Sequence, residues 1–349
     1  MSWERTFLLL SGGFIMRVLF CIRGDCFKNF AGDSMQLVKT AQYLREKKVK
    51  VDINTGVVQD YSPYDIIHLF NLTRVEETYK YYKKAKEYKK AIVLSPIYWN
   101  LKRYYNYVRD NKNLLLWDKL NMCRKEILRG CRLIYPNSEL ENIQIQNDFH
   151  INVPYKVIYN GVEVEHRALY NFKETYGLKD YVLCVARVCS RKNQLALSRV
   201  CSELGLQLVL IGSINDIDYF NKCMSYDNVR YLGFMDDYNL YNAYRNAKIH
   251  VMPSFVETPG LSSLEAAASG CNIVSTAEGS TREYFKDMCI YCSPYNEYSI
   301  KTAISTCIEI KNHKDLKDHI IKNYNWKKCI NPLFESYRHI LNQYRIGGS

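Results

Sequence analysis

Neither of the glycine patterns that mark most nucleotide-binding α/β domains, G-x-G-x-x-G and G-x-x-x-x-G-K-[ST], occurs in the 349 residues. A dinucleotide-dependent dehydrogenase and a P-loop ATPase are both disfavoured. No apolar run approaches the roughly 20 residues that span a bilayer, and there is no internal repeat or low-complexity linker. The 13 cysteines are odd in number and mostly scattered singly in apolar runs, so no disulfide framework is expected. Cys289 and Cys292 form one C-x-x-C, but no second pair or spaced histidines accompany it, and we expect no metal site. The net charge of +12 comes with no helix-turn-helix, zinc-finger or RNA-binding aromatic signature, so nucleic acid is not an expected partner.

What is present fits two domains of ordinary size. Short runs rich in Val, Ile and Leu alternate with longer amphipathic stretches, the pattern of parallel sheets covered by crossover helices, so the fold class is α/β. We expect strands near 17–22, 50–53, 65–70, 91–94 and 132–135, then near 181–186, 207–211, 229–232, 248–252, 272–275 and 289–291. Residues 1–15 hold only a short, Gly-interrupted apolar stretch. We read them as a disordered extension ahead of a working start at Met16. A first domain is expected over 16–160, a second over 161–326, and a last amphipathic helix over 327–349 that needs a partner surface.

Charge is uneven: residues 16–155 carry 24 Lys and Arg against 15 Asp and Glu, a net of +9. Part of it lies in the Tyr- and Lys-rich run Tyr79 to Lys90. That run suits an anionic membrane or an acidic acceptor, and equally suits a solvated helix face. A cytoplasmic location, with contact at the inner face of the membrane, is the matching expectation.

Ligands of open parallel sheets bind beyond the carboxyl ends of the strands. After one expected strand, Arg187-Val-Cys-Ser-Arg-Lys192 places Arg187 and Lys192 within reach of one phosphate group, although an exposed pair of helix-cap cations would read the same. After another, Glu257-Thr-Pro-Gly-Leu-Ser-Ser-Leu-Glu265 opens an Ala-rich helix. Gly260 allows close backbone approach, and the helix start at Leu261 and Ser262 offers free N–H groups to an anion. Glu257 and Glu265 lie more than a turn apart, so one can hold a ribose diol and the other a sugar. A third loop, Ala277 to Glu283, offers Gly279 and Ser280 to a phosphate. In the first half, Gly32 precedes Asp33 and Ser34, each a plausible N-cap of a helix.

These motifs, together with Asn160-Gly-Val162 and Tyr231-Leu-Gly-Phe234, resemble in order and spacing a family of retaining glycosyltransferases. It is family four, the group 1 glycosyl transferases, and the similarity runs from Met16 over almost the whole chain. The resemblance implies a GT-B fold, two facing Rossmann-like domains with the donor held mainly by the second. It implies that Arg187 and Lys192 neutralise a departing diphosphate in place of a metal ion, that Glu257 contacts the transferred sugar and that Glu265 holds the ribose. Gly260, Leu261, Ser262 and Gly279 would complete the donor site. The backbone near Gly233 and Phe234 would face the base, and Gly32 would admit phosphate or acceptor from across the cleft.

The implied partners are a nucleotide sugar and a glycan or lipid-linked acceptor of cell-surface polysaccharide synthesis, with no cofactor. A nucleotide-sugar epimerase of the same fold and a non-catalytic nucleotide-sugar-binding scaffold are the alternatives. The family often has a cleft histidine after the fourth strand of the first domain, where this chain reads Leu94-Ser-Pro-Ile-Tyr-Trp-Asn100. His68 matches a different position and reads as a core histidine. Ala186 stands for the usual glycine before the arginine, and Thr258-Pro259 for the usual Gly-Phe after Glu257.

Overall fold

A computed structural model describes residues 15–163, 168–310 and 314–346. The Val-, Ile- and Leu-rich runs become parallel strands, the central ones buried on both faces, each within one residue of its expected ends. One sheet has the order β2 (Lys50–Asn54), β1 (Arg17–Cys21), β3 (Ile66–Phe70), β4 (Ala91–Ser95), β5 (Leu133–Ile134). The other runs β11 (Ile290–Cys292), β10 (Ile273–Thr276), β9 (Ile249–Met252), β6 (Tyr181–Val185), β7 (Gln207–Ile211), β8 (Val229–Tyr231). Strand order reverses between β1 and β3 in the first sheet and between β6 and β9 in the second, which opens a crevice beyond the carboxyl ends of those strands. Each sheet has an apolar cluster on both of its faces.

The final helix, Trp326–Ile346, leaves the second sheet and packs on the first. Trp326, Ile330, Leu333, Tyr337 and Ile340 recur at helical spacing and share a core with Val18 and Phe20. Its crossing lies against the chain that enters the second lobe: Val162 bridges Asn325, and Val162 N donates to the Tyr324 carbonyl at 2.7 Å. Gly161 is required there, since a Cβ would fall 2.4 Å from the Trp326 nitrogen.

One expectation needs revision. The helix after β1 spans Gly32–Glu46 with Ala31 as its N-cap, because the side chains of Asp33 and Ser34 are both engaged by Arg23. Between β4 and β5 the chain forms three short helices, Lys102–Tyr107, Asn111–Lys119 and Asn121–Gly130. The tyrosines of the Tyr79–Lys90 run are largely tied down: Tyr82 is buried, and Tyr79 donates to Glu126 at 2.5 Å. The expected extension lies, apart from the exposed Ile15, outside the described residues. Among the described residues no helix is long and apolar enough to cross a membrane.

The lobes also meet through polar contacts. Ser138 caps the helix Glu139–Phe149, and Glu283 of the other lobe accepts from Glu139 N and Leu140 N, both at 2.9 Å. A carboxylate is favoured at that end of a helix, where the first N–H groups have no partners within the helix. Tyr284 donates to the Asn137 carbonyl at 2.6 Å. Glu141, fully buried beside this seam, has its pKa pushed up to about 7 by burial, partly offset by the N–H groups of Tyr98 and Asn137.

Candidate active site

Between the carboxyl ends of the two sheets lies a cavity of about 430 Å³ lined from both lobes. That is room for a ligand of small-molecule size. On the second-lobe wall, the turn Ser190–Lys192 aims Lys192 back at the loop after β9, where its Nζ donates to Glu257 Oε1 at 2.5 Å. Both groups are largely buried, at 14% and 7% exposure. Burial alone would raise the Glu257 pKa, but the Lys192 ammonium and the Arg191 guanidinium outweigh it and hold the carboxyl below its usual range. Glu257 is therefore an ionised acceptor.

Arg187 follows β6 and lines the cavity; among the described residues its guanidinium has no hydrogen-bond or ion-pair partner. Burial lowers its pKa, and the neighbouring Arg191 lowers it further. Sequence reasoning passed over Arg191. Its Nη1 donates only to the Val256 carbonyl, at 3.1 Å, and it too lacks a carboxylate partner among the described residues. Two like charges are thus held side by side with no carboxylate salt bridge among the described residues, although Glu257 lies near enough to Arg191 for the guanidinium to lower its pKa.

Gly260, at φ +87°, ends the loop and heads the helix Leu261–Ala268; it lines the cavity together with Leu261 and Ser262. Glu265, one turn into that helix, is half-buried and accepts from the Tyr244 hydroxyl at 3.1 Å. Phe234, 75% exposed, forms part of the rim. Gly32 lines the opposite wall, its Cβ position 3.8 Å from Leu261 Cδ1 across the cleft.

Two expected residues fall elsewhere. Gly233 does not line the cavity; its carbonyl accepts from Gly212 N at 2.8 Å and closes the turn beneath Phe234. Gly279 lies behind Glu257, with φ +100° and a Cβ position only 2.0 Å from the Glu257 carbonyl oxygen. Only glycine permits that approach, so Gly279 supports the backbone of the acidic residue, and Ser280 Oγ is turned to Ser138 Oγ at 2.6 Å.

The first-lobe wall is charged but satisfied. Arg23, 4% exposed, donates to Asp33 at 2.8 and 2.9 Å, to Asp25 at 2.7 Å and to Ser34 at 2.9 Å. Asn71 Nδ2 adds a bond to Asp33 at 3.1 Å, and Arg74 pairs with Asp25 and Glu77. Where the family often has histidine, Ile97, Trp99 and Leu101 face the cavity. His68 is absent from it: fully buried on β3, it bonds Tyr337 and Ser95, and burial lowers its pKa to about 3.

Residues 169–326 match the family model of glycosyl transferases group 1. The second lobe is a glycosyl transferases group 1 domain. A glycosyltransferase of Methanocaldococcus jannaschii, itself uncharacterized, is 25% identical over 208 residues, 52% of this chain and 53% of that protein. The chain thus matches about half the length of that relative. In fold, the chain is similar to a sucrose-phosphate synthase from Thermosynechococcus elongatus, with a TM-score of 0.76, 14% identity, and coverage of 94% of this chain and 100% of that one. HepE of Anabaena, solved with UDP and glucose, gives a TM-score of 0.71 at 14% identity over 93% of this chain and all of that one. The fold is GT-B. Arg187, Lys192, Glu257 and Glu265 all belong to the glycosyl transferases group 1 domain, whereas Gly32 and the Arg23 network face it from the other lobe.

Proposed function

We propose that this chain is a retaining glycosyltransferase that moves a sugar from a nucleoside diphosphate sugar to a glycan or lipid-linked acceptor without a metal ion. The observation that carries this reading is the pair of cations, Arg187 and Arg191, set without carboxylate partners among the described residues beside the Lys192–Glu257 pair. Positive charge held without a salt-bridged carboxylate in a desolvated cleft favours an anionic ligand carrying more than one charge, and a diphosphate supplies it. The UDP bound in HepE supports the same class of donor.

In the reaction, the bond from the anomeric carbon to the diphosphate oxygen breaks, and the bond to the acceptor oxygen forms on the same face of the sugar. The acceptor's hydroxyl proton passes to the departing phosphate. No protein nucleophile takes part. Arg187 and Arg191 take up the charge that develops on the leaving group, a contribution worth most where water is excluded. Lys192 shifts its hydrogen bond from Glu257 to a phosphate oxygen, which frees the ionised Glu257 to accept from a sugar hydroxyl. Glu265, oriented by Tyr244, holds the ribose diol.

Melting the protein with UDP-, GDP- and ADP-sugars tests the reading, because a ligand bound only by the folded state raises the melting temperature. One donor should stabilise the wild type, and Arg187→Ala should abolish that shift. A donor shift untouched by the substitution, or none with any donor, would remove the proposal. Conversion of the donor with no acceptor present would favour an epimerase instead.

A further inference from the structure

One face of the helix Asn111–Lys119 is turned to solvent with its leucines uncovered. Lys112, Leu115, Leu116 and Lys119 recur at i, i+3, i+4 and i+7 and so share one side of the helix. Leu115 is 72% exposed and Leu116 38%, and Met122, in the helix that follows, is 71% exposed. Trp117, on the opposite side, is buried and fastens the helix to the first core.

Charge around this stripe is predominantly positive. Arg109, Lys112 and Lys119 are exposed and form no salt bridge among the described residues. The local acids are engaged: Asp110 accepts from Asn113 N at 3.0 Å, Asp118 pairs with Lys102 at 3.0 Å, and Glu126 accepts from Tyr79. Water does not favour exposed leucines, and an ordinary protein partner would have to bring its own acids. An anionic lipid surface satisfies both features at once, with leucines at the acyl boundary and lysines reaching back to the phosphates.

We propose that Asn111–Lys119 is an interfacial helix by which the chain docks on an anionic bilayer. The surface is distinct from the Tyr79–Lys90 run, whose tyrosines are largely held by the protein. It also adjoins the cavity: the preceding helix, Lys102–Tyr107, packs Tyr104 on Phe255 with ring centroids 4.9 Å apart, two residues before Glu257. Docking does not depend on the glycosyl-transfer reading, and either can fail alone.

Cosedimentation with vesicles tests it. The chain should bind equimolar phosphatidylcholine and phosphatidylglycerol, bind phosphatidylcholine alone far less, and lose affinity as salt rises. The double variant Lys112→Gln/Lys119→Gln should lower partitioning about 25-fold, each cation contributing about five-fold. Leu115→Asn/Leu116→Asn should abolish binding while circular dichroism and the melting temperature stay unchanged. Equal binding to both vesicles, binding to neither, or wild-type binding by both variants overturns the proposal. So does a homodimer that the leucine variant dissolves, since a second copy would then occupy the face.

Discussion

On the first-lobe wall of the cavity, Arg23 lies among Asp33, Asp25 and Ser34, and Arg74 between Asp25 and Glu77; on the facing wall, Arg187 and Arg191 have no carboxylate partner among the described residues. The contrast runs against composition, because the first half carries +9 of the net charge of +12. Total charge of a lobe therefore does not locate an anion site. The proposed function places it instead where internal pairing is lacking: Arg23 and Asp33 already satisfy one another, and a ligand would have to compete with that network.

The sharpest way to break this comparison is at the buried pair. Lys192→Met should cost about 3 to 5 kcal/mol in chemical denaturation, because it leaves Glu257 charged and unpaired. Adding Glu257→Gln should restore most of that stability but not turnover. A double variant as unstable as the single one would mean that the pair is not energetically coupled. Next in size, Arg187→Ala should lower turnover by about 100-fold or more, near 3 kcal/mol of barrier, whereas Arg74→Ala should stay within a few-fold. Equal losses in the two variants would erase the distinction between the walls.

A smaller effect compares the buried histidines. His68 in the first lobe has two hydrogen-bond partners and His250 in the second has none among the described residues, yet burial lowers both to about 3. The folded value lies below that of the unfolded chain, so the unfolded chain binds more protons below its own pKa. Stability is complete above that point and falls as the solution is acidified toward 3. Between pH 7 and pH 5 each histidine should cost about 2 kcal/mol. His250→Leu should lose that much less than the wild type over the same interval, as read by urea titrations at each pH; parallel losses would mean that His250 is not the proton acceptor.

Much of the architecture could be read from residue order, because strands buried on both faces require unbroken runs such as Val182 to Val185 and Leu208 to Ile211, and these have few other readings. The placement of Glu257 beside Lys192 was less accessible. Spacing put each after a strand but did not show that β6 and β9 are neighbours, the adjacency that brings the two together. Arg191 was overlooked for a related reason: within Arg187-Val-Cys-Ser-Arg-Lys192 nothing local distinguishes a paired cation from an unpaired one. The helix start was misplaced because Asp33 and Ser34 look like caps, and their capture by Arg23 depends on a loop folding back over ten residues. Gly279 read as a phosphate contact because a loop glycine shows only that something comes close. Here the close neighbour is the backbone of Glu257.

The side-by-side strands of chain at Gly161 and Trp326 bear on how a substrate could enter. Two covalent connections bonded along one line would confine any relative movement of the lobes to a swing about that line, as a door swings on a pin, and would hinder sliding or independent tumbling. Admission of a ligand by such a movement would leave the contacts of Glu283 with the helix Glu139–Phe149 nearly in place and would part Tyr104 from Phe255.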